Sequence, residues 1–270
     1  MTLRILYVSA ESVPGVNGGS VHTRAVASGL ARRGHAVTLL TRREPGQAGE
    51  EGLDGVRVLR TPLKAGGKTV PALALGRLLG LDPRGFDVVM ARFSALGGAE
   101  GLFAGRACLP LVLEVNSPQV AEVIWRHGLE ASLAAGVLEA WEGFQFRQAA
   151  AVITPSARIV PEEARERCRL VSWGCDPERF RPSGRKEAGR FVVAFSGSFR
   201  SWHGVDLLPK VAKALLARVP EALFLCIGDG EERAAVEAQA KALGVSEAFR
   251  FTGAVPPEEV PGHLASADAG

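Results

Sequence analysis

The sequence predicts a doubly wound α/β fold carried through two successive parallel sheets. Three observations predict it. Short apolar runs alternate with helical segments along almost the whole chain. Several of those runs are apolar on both alternations, as expected of parallel strands covered on both faces. Glycine is abundant, at 32 of 270 residues, and gathers where a strand run meets a helical one, while aromatics make up only 6%. A chain of this length has room for two domains of ordinary size, and 47% hydrophobic residues supply a core for each.

The strand runs, in order, are "RILYVSA" (4–10), "AVTLLT" (36–41), "VRVLRT" (56–61), "FDVVMA" (86–91), "PLVLEV" (110–115), "AVITP" (151–155) and "RLVSWG" (169–174). Between the first two, "SVHTRAVASGLARRGH" has helical spacing, with Ala25, Val26, Gly29 and Leu30 on one face and Gly34 as its stop. Residues Gln119 to Gln148 are helical in composition, with a break expected near Gly128 or Gly136. "GCDPERFRPSGRKEAGR" (174–190) then interrupts the rhythm with proline, glycine and charge and reads as a linker. The alternation resumes with "RFVVAFSGS", a helix from Asp206 to about Val219, "ALFLCIGDG", a helix from Glu231 to about Leu243, "FRFTGAV", and a helix from Pro257 to about Ala267. These are three βα units, and "ADAG" stands where another strand should begin. A three-stranded parallel sheet would leave an unpaired edge, so the second domain is expected to be incomplete. The expected division is 1–175 for the first domain, 176–189 for the linker and 190–270 for the second.

The net charge of +3 is a mild surplus without a basic stripe and interleaved aromatics, which argues against nucleic acid as a partner. It is compatible with an anionic small ligand, or with weak peripheral attraction to an acidic membrane. Cys108, Cys168, Cys175 and Cys226 form no CxxC pair and no zinc-ligand spacing with histidine, so no metal is expected. Cys226 lies inside an apolar run and reads as a small buried hydrophobe. Unpaired cysteines make a reducing, cytoplasmic compartment the default. "MTLRILYVSA" is too short and strand-like for a signal peptide, and no run reaches the length of a membrane span.

Three strand–helix turns carry chemistry. "PGVNGGSVHTR" (14–24) places Gly18 and Gly19 at a helix start beyond the first strand, with His22 one turn in. It lacks the GxGxxG spacing of a dinucleotide site and the lysine of a P-loop, which disfavours a nicotinamide dehydrogenase. Glycines there let a ligand approach the backbone, and a helix start offers N–H groups to an anion; an ordinary βα turn accounts for the same residues. "FSGSFRSWHGVDLL" (195–208) repeats the grammar with Arg200 and His203 in the loop, where arginine suits a phosphate. The alternative is a solvated loop with Trp202 as its packing anchor. In "CIGDGEERAAVE" (226–237), Gly228 and Gly230 close a strand against a helix, Glu231 and Glu232 suit the helix dipole, and Arg233 reads as surface.

Taken in order with "RQAAAVITPSARI", "VSWGCDPERFRP" and "FRFTGAVPPEEVPGHLASAD", these stretches resemble family 4 of the retaining glycosyltransferases (glycosyl transferase group 1). The resemblance implies a GT-B-like α/β fold: two Rossmann-like doubly wound domains facing a cleft, the first on the acceptor side and the second, here incomplete, binding a nucleotide sugar. It implies metal-independent transfer of a sugar from a nucleotide-diphosphate sugar to an acceptor hydroxyl with retention, the donor being a substrate and no cofactor being needed. Gly18 and Gly19 would lie near the donor phosphates, His22 near the donor sugar or acceptor, and Asn116 of "EVNSP" on the acceptor side. Gly197 through Gly204, including Ser198, would hold the diphosphate, Gly228 and Gly230 would border the nucleotide, and the backbone at Val255 would meet the base. His22, Arg200 and His203 are the catalytic candidates.

Departures from the family accompany it. Ser198 and His203 stand where an arginine and a lysine are common, with Arg200 supplying the charge from a shifted position, and Trp173 stands where asparagine is usual. The family's acidic motif, two glutamates separated by seven intervening residues, is not found before this chain's last residue, so a non-catalytic fragment or remnant is the alternative from another class. A sugar-nucleotide epimerase of the same architecture is a further one.

Overall fold

The computed structural model describes residues 1–62, 76–182 and 186–270, so residues 183–185 of the expected linker lie outside the described residues. The chain divides into two compact units: Met1–Gly15 with Gly19–Trp173, and Gly174–Gly270 with the tripeptide Val16–Gly18.

The first unit is built on an eight-stranded sheet. β1 (Arg4–Ser12) pairs in parallel with β2 (Ala36–Arg42) on one side and β5 (Val88–Arg92) on the other, Ile5 lying opposite both Val37 and Val88. The order is β3-β4-β2-β1-β5-β6-β7-β8, with β3 (Glu50–Leu53), β4 (Val56–Arg60), β6 (Leu111–Glu114), β7 (Ala151–Thr154) and β8 (Cys168–Leu170). All neighbours are parallel except β3 and β4. The strand period of two sends residues to two cores. Tyr7, Val37, Leu39 and Val58 pack with Ala27 of α1 (Gly18–Arg32) on one face. Leu6, Val8, Leu40 and Val89 face Phe103 of α2 (Ala99–Arg106), Ile124 of α3 (Gln119–Arg126) and Phe146 of α4 (Leu133–Gln148) on the other.

Several expectations need correction. The β3–β4 hairpin was not anticipated; it turns through Asp54 and Gly55, both at positive φ, the pairing a tight two-residue hairpin favours. α2 was missed. The 119–148 stretch breaks at Gly128, whose φ of 61° ends α3, while Gly136 continues inside α4. α1 turns Ser20, Thr23, Ala27 and Ser28 inward and leaves Ala25 exposed, so its packed face is smaller and more polar than the apolar spacing implied. Gly34 does stop the segment, at a φ of 88°.

The second unit has β9 (Phe191–Ser196), β10 (Ala222–Ile227) and β11 (Phe249–Gly253), parallel and in the order β11-β10-β9. All six residues of β10 are buried; burial pushes the Cys226 thiol up to about 12, which fits its role as a small hydrophobe. α5 (Leu208–Leu216), α6 (Arg233–Ala242) and α7 (Val260–Leu264) cover the sheet, and the last of these is shorter than the pattern implied. The free edge of β9 is met by the chain's own final residues. Val193 bridges Ala269 in parallel, Ala194 N–H donates to Ala269 O at 2.8 Å, and Asp268 Oδ2 accepts from Val192 N–H at 2.9 Å.

Candidate functional site

In each unit the strand order reverses direction at one strand, and open α/β sheets bind ligands outside the carboxyl ends of the strands at such a point. In the first unit that strand is β1, with β2 and β5 on opposite sides. Beyond its end, the buried Arg60 fixes the turn: Nη2 and Nε donate to Val13 O at 2.6 and 3.2 Å, Nη1 donates to Ala48 O at 2.9 Å, and Nη2 pairs with Glu51. α1 then begins at Gly18. A Cβ on Gly18 would meet nothing within 4 Å, whereas one on Gly19 would overlap the Glu11 carboxylate. Arg92, at the end of β5, reaches this start with Nη1 donating to Gly19 O at 3.2 Å.

The centre of the first unit's site is Glu114, which sequence reasoning missed. It ends β6 and is buried. Tyr7 Oη donates to its Oε2 at 2.5 Å, His22 Nε2–H donates to its Oε1, and Asn116 Nδ2 donates to the same oxygen at 2.9 Å. Burial opposes the charge, but these three donors together outweigh it and hold the carboxyl below its usual range. Glu114 is therefore a carboxylate at neutral pH. Burial and the adjacent anion push the Tyr7 phenol well above its ordinary value, so it stays a donor. His22, with 29% of its side chain exposed, is fixed by Nε2 and has Nδ1 left for a ligand. Asn116 Oδ1 accepts from Trp173 Nε1–H at 3.1 Å. The structure thus joins two expected site residues, His22 and Asn116, through a carboxylate and the chain's single tyrosine. A signal for Glu114 existed: an acid inside "PLVLEV" occupies a position where parallel strands bury their side chains, and a buried acid needs partners.

In the second unit the reversal falls at β9, between β10 and the 268–269 bridge. The loop after it is closed by His203 Nδ1–H donating to Ser198 O at 2.6 Å, and Gly204 follows at a φ of 66°. Arg200 lies 5.4 Å from the Trp202 ring and 3.6 Å from Glu231 Oε1. The packing anchor of this loop is Phe199, fully buried, and Trp202 is exposed, which counts against the alternative in which Trp202 anchors the loop. Gly228 and Gly230 sit directly beneath the loop. A Cβ on Gly228, at a φ of 130°, would overlap Gly197 O, and one on Gly230 would come within 2.5 Å of Phe199 O. Their lack of side chains is thus used by loop packing. Phe199 N–H donates to Asp229 O, and Glu232 N–H donates to Phe199 O, both at 3.0 Å. Arg233 is tied to Asp229 and Glu237 and lies against Phe251, so it is more constrained than a surface residue. Val255 packs its side chain, partly buried, against the core residues Val192 and Leu225. Among the described residues no three His, Cys, Asp or Glu side chains gather to hold a metal ion, and no helix is long and apolar enough to cross a membrane.

Two doubly wound units, each with a glycine-bearing turn beyond a strand end, define the class of fold, GT-B. Residues 16–179 match the family model Glycosyltransferase Family 4, and residues 176–269 match Glycosyl transferases group 1. The first match alone covers more than half of the chain, which belongs to this family. A GDP-mannose-dependent alpha-(1-6)-phosphatidylinositol monomannoside mannosyltransferase of Mycolicibacterium smegmatis is 32% identical over 104 residues, 35% of this chain and 27% of its own. A D-inositol 3-phosphate glycosyltransferase of Corynebacterium jeikeium is 31% identical over 118 residues, 37% of this chain and 28% of its own. These matches thus span little more than a quarter of either curated relative. Among solved structures, sucrose-phosphate synthase of Thermosynechococcus elongatus superposes with a TM-score of 0.75 at 16% identity, over 98% of this chain and 74% of its own. Anabaena HepE, solved with UDP and glucose, gives 0.67 at 17% identity, over 98% and 73%.

Proposed function

We propose that this chain serves metal-independent transfer of a hexose from a nucleotide-diphosphate sugar to an acceptor hydroxyl, with retention of the anomeric configuration, in the cytoplasm and with peripheral membrane contact where the acceptor is lipid-borne. The observation that carries the reading is the 197–204 loop, shaped by the glycines beneath it and bearing Arg200 and His203 beyond the end of β9. Backbone N–H groups and basic side chains so arranged suit the charge that develops on a departing diphosphate. The sugar nucleotides named with the HepE structures support the same donor class.

Each residue around the α1 start and the Glu114 cluster then has a task. Gly18 leaves backbone at the α1 start open to an anion, and Arg92 adds a nearby positive charge. His22 presents Nδ1 to the donor sugar or the incoming hydroxyl, while Glu114 holds the imidazole in place by Nε2. The acceptor hydroxyl attacks the anomeric carbon from the face the diphosphate leaves and gives its proton to the departing phosphate oxygen as the sugar–phosphate bond breaks, so configuration is kept.

The test is direct. The protein is incubated with UDP-, GDP- and ADP-sugars, with and without EDTA, against a panel of sugar and inositol acceptors, and the product linkage is read by NMR. Transfer with retained configuration that survives EDTA, and that Arg200→Ala lowers by about tenfold or more, is the expected result. Free nucleotide binding with no product under any acceptor would favour the remnant reading. Conversion of the donor alone would favour the epimerase.

A further inference from the structure

We propose that Trp173 and Asn116 form a subsite for a six-membered polyol ring, pyranose or cyclitol, on the acceptor side of the first unit. The inference deepens the transfer reading and rests on it. Trp173 lies three residues past β8, at the carboxyl end of the sheet where the Glu114 cluster also lies. The residue is 63% exposed. Exposure alone is unremarkable among the four tryptophans, since Trp125 is 59% exposed on α3. Trp141 is also exposed and anchored, its Nε1–H donating to Gly97 O at 3.1 Å; what distinguishes Trp173 is that its anchor is the Glu114 cluster itself. Nε1–H donates to Asn116 Oδ1, Asn116 Nδ2 donates to Glu114 Oε1, and Glu114 is gripped by Tyr7 and His22. This chain of bonds also settles the amide's orientation, because only Oδ1 can accept from an indole and only Nδ2 can donate to a carboxylate.

A ring that is exposed yet held in orientation has shed the entropy that a free side chain would lose on binding. Its π-face complements a flat, weakly polar ligand surface bearing outward C–H groups, and the polar groups beside it complement hydroxyls. Pyranoses and cyclitols have both features on one small ring: axial C–H bonds on a face and hydroxyls around the rim. Asn116 keeps one further N–H, and His22 keeps Nδ1, for that rim. An acyclic polyol has the hydroxyls without the face. Trp173, the residue that departs from the family's usual asparagine, thereby becomes a determinant of acceptor choice.

The test uses the whole chain and the indole N–H resonances of its four tryptophans, assigned by single Trp→Phe substitutions. Methyl α-D-mannopyranoside, methyl α-D-glucopyranoside and myo-inositol are titrated to roughly 100 mM, far above a millimolar dissociation constant, with glycerol as the acyclic control. The expected result is a saturable shift of the Trp173 resonance with at least one ring, the pyranosides and inositol separating the two sources, and none with glycerol. Trp173→Ala and Asn116→Ala should each weaken that binding by about tenfold, and Trp173→Phe by less, since a phenyl face still stacks. Circular dichroism establishes that each variant is folded. No shift with any ring, an equal shift with glycerol, or Trp173→Ala binding within twofold of the parent overturns the subsite. UDP and GDP binding by calorimetry on the same samples reports the transfer reading separately and should be unchanged by Trp173→Ala.

Discussion

Replacing Glu114 by leucine removes the acceptor of three hydrogen bonds, and its cost can be worked out group by group. His22 and Asn116 are partly exposed, so their released N–H groups find water at little cost. Tyr7 has no exposed surface, and its hydroxyl is left with a poorer set of partners. A stranded buried hydroxyl costs about 1–3 kcal/mol. Relief from burying a charge would act the other way, but the Glu114 carboxyl is held below its ordinary range, so its surroundings favour the anion on balance. The expected net loss is about 2 kcal/mol, or roughly a 1 M fall in urea midpoint at a slope of about 2 kcal/mol per molar. A Trp202→Phe background confines tryptophan fluorescence to Trp125, Trp141 and Trp173 of the first unit. Glu114→Gln should cost less, since its amide can still meet Tyr7 and His22. Its gap from the parent should also depend on pH. A depressed folded-state carboxyl stabilises above its unfolded value near 4.5, and that contribution disappears as pH falls through the folded value, so the gap should narrow from about pH 6 to pH 4. Urea midpoints for Glu114→Leu and parent within about 0.2 M of each other would refute the account of this cluster.

The two glycine turns should respond oppositely to a methyl group. Gly228→Ala meets the Gly197 backbone at an unfavourable φ and should cost more than about 4 kcal/mol, read as loss of soluble protein, while Gly18→Ala, with open space around it, should move the melting temperature by less than about 2 °C. Arg60→Ala should destabilise by about 3 kcal/mol, leaving Val13 O and Ala48 O without their buried donor, and should lower the melting temperature by roughly 6–12 °C; a drop under about 2 °C would show that the turn holds without it.

Much of the fold was legible because parallel strands covered on both faces leave an unmistakable pattern. "RILYVSA" and "ALFLCIG" could hardly be anything else, and β1 and β10 lie where they were expected. What escaped was weakly apolar or set by distant partners. β3 has the sequence EEGL and survives because β4 supplies its hydrogen bonds; the Asp54–Gly55 pair was its one local signal. α2 contains Gly101, over which a Cβ would strike Gln148 of α4, so this glycine-rich helix is held by its neighbour as much as by its propensity.

The candidate site divides along the same physical line. Turn glycines announce themselves locally, because the positive φ that Gly204 and Gly228 adopt favours glycine. The Glu114 cluster has no local signature: Tyr7 meets an acid 107 residues away, His22 one 92 residues away, and Trp173 an amide 57 residues away. In each case one partner is a residue that sequence alone reads as ordinary, whether a tyrosine or a tryptophan within a strand run. A charged side chain within a both-faces-buried strand was still informative, because the energetic penalty for burying it unpaired is several kcal/mol. Such a residue demands donors, donors in a parallel sheet gather at the carboxyl ends, and those ends are where this architecture places its ligands. Reading a misplaced acid as a search for its donors would have led from Glu114 to His22 and Asn116, and from there to Trp173.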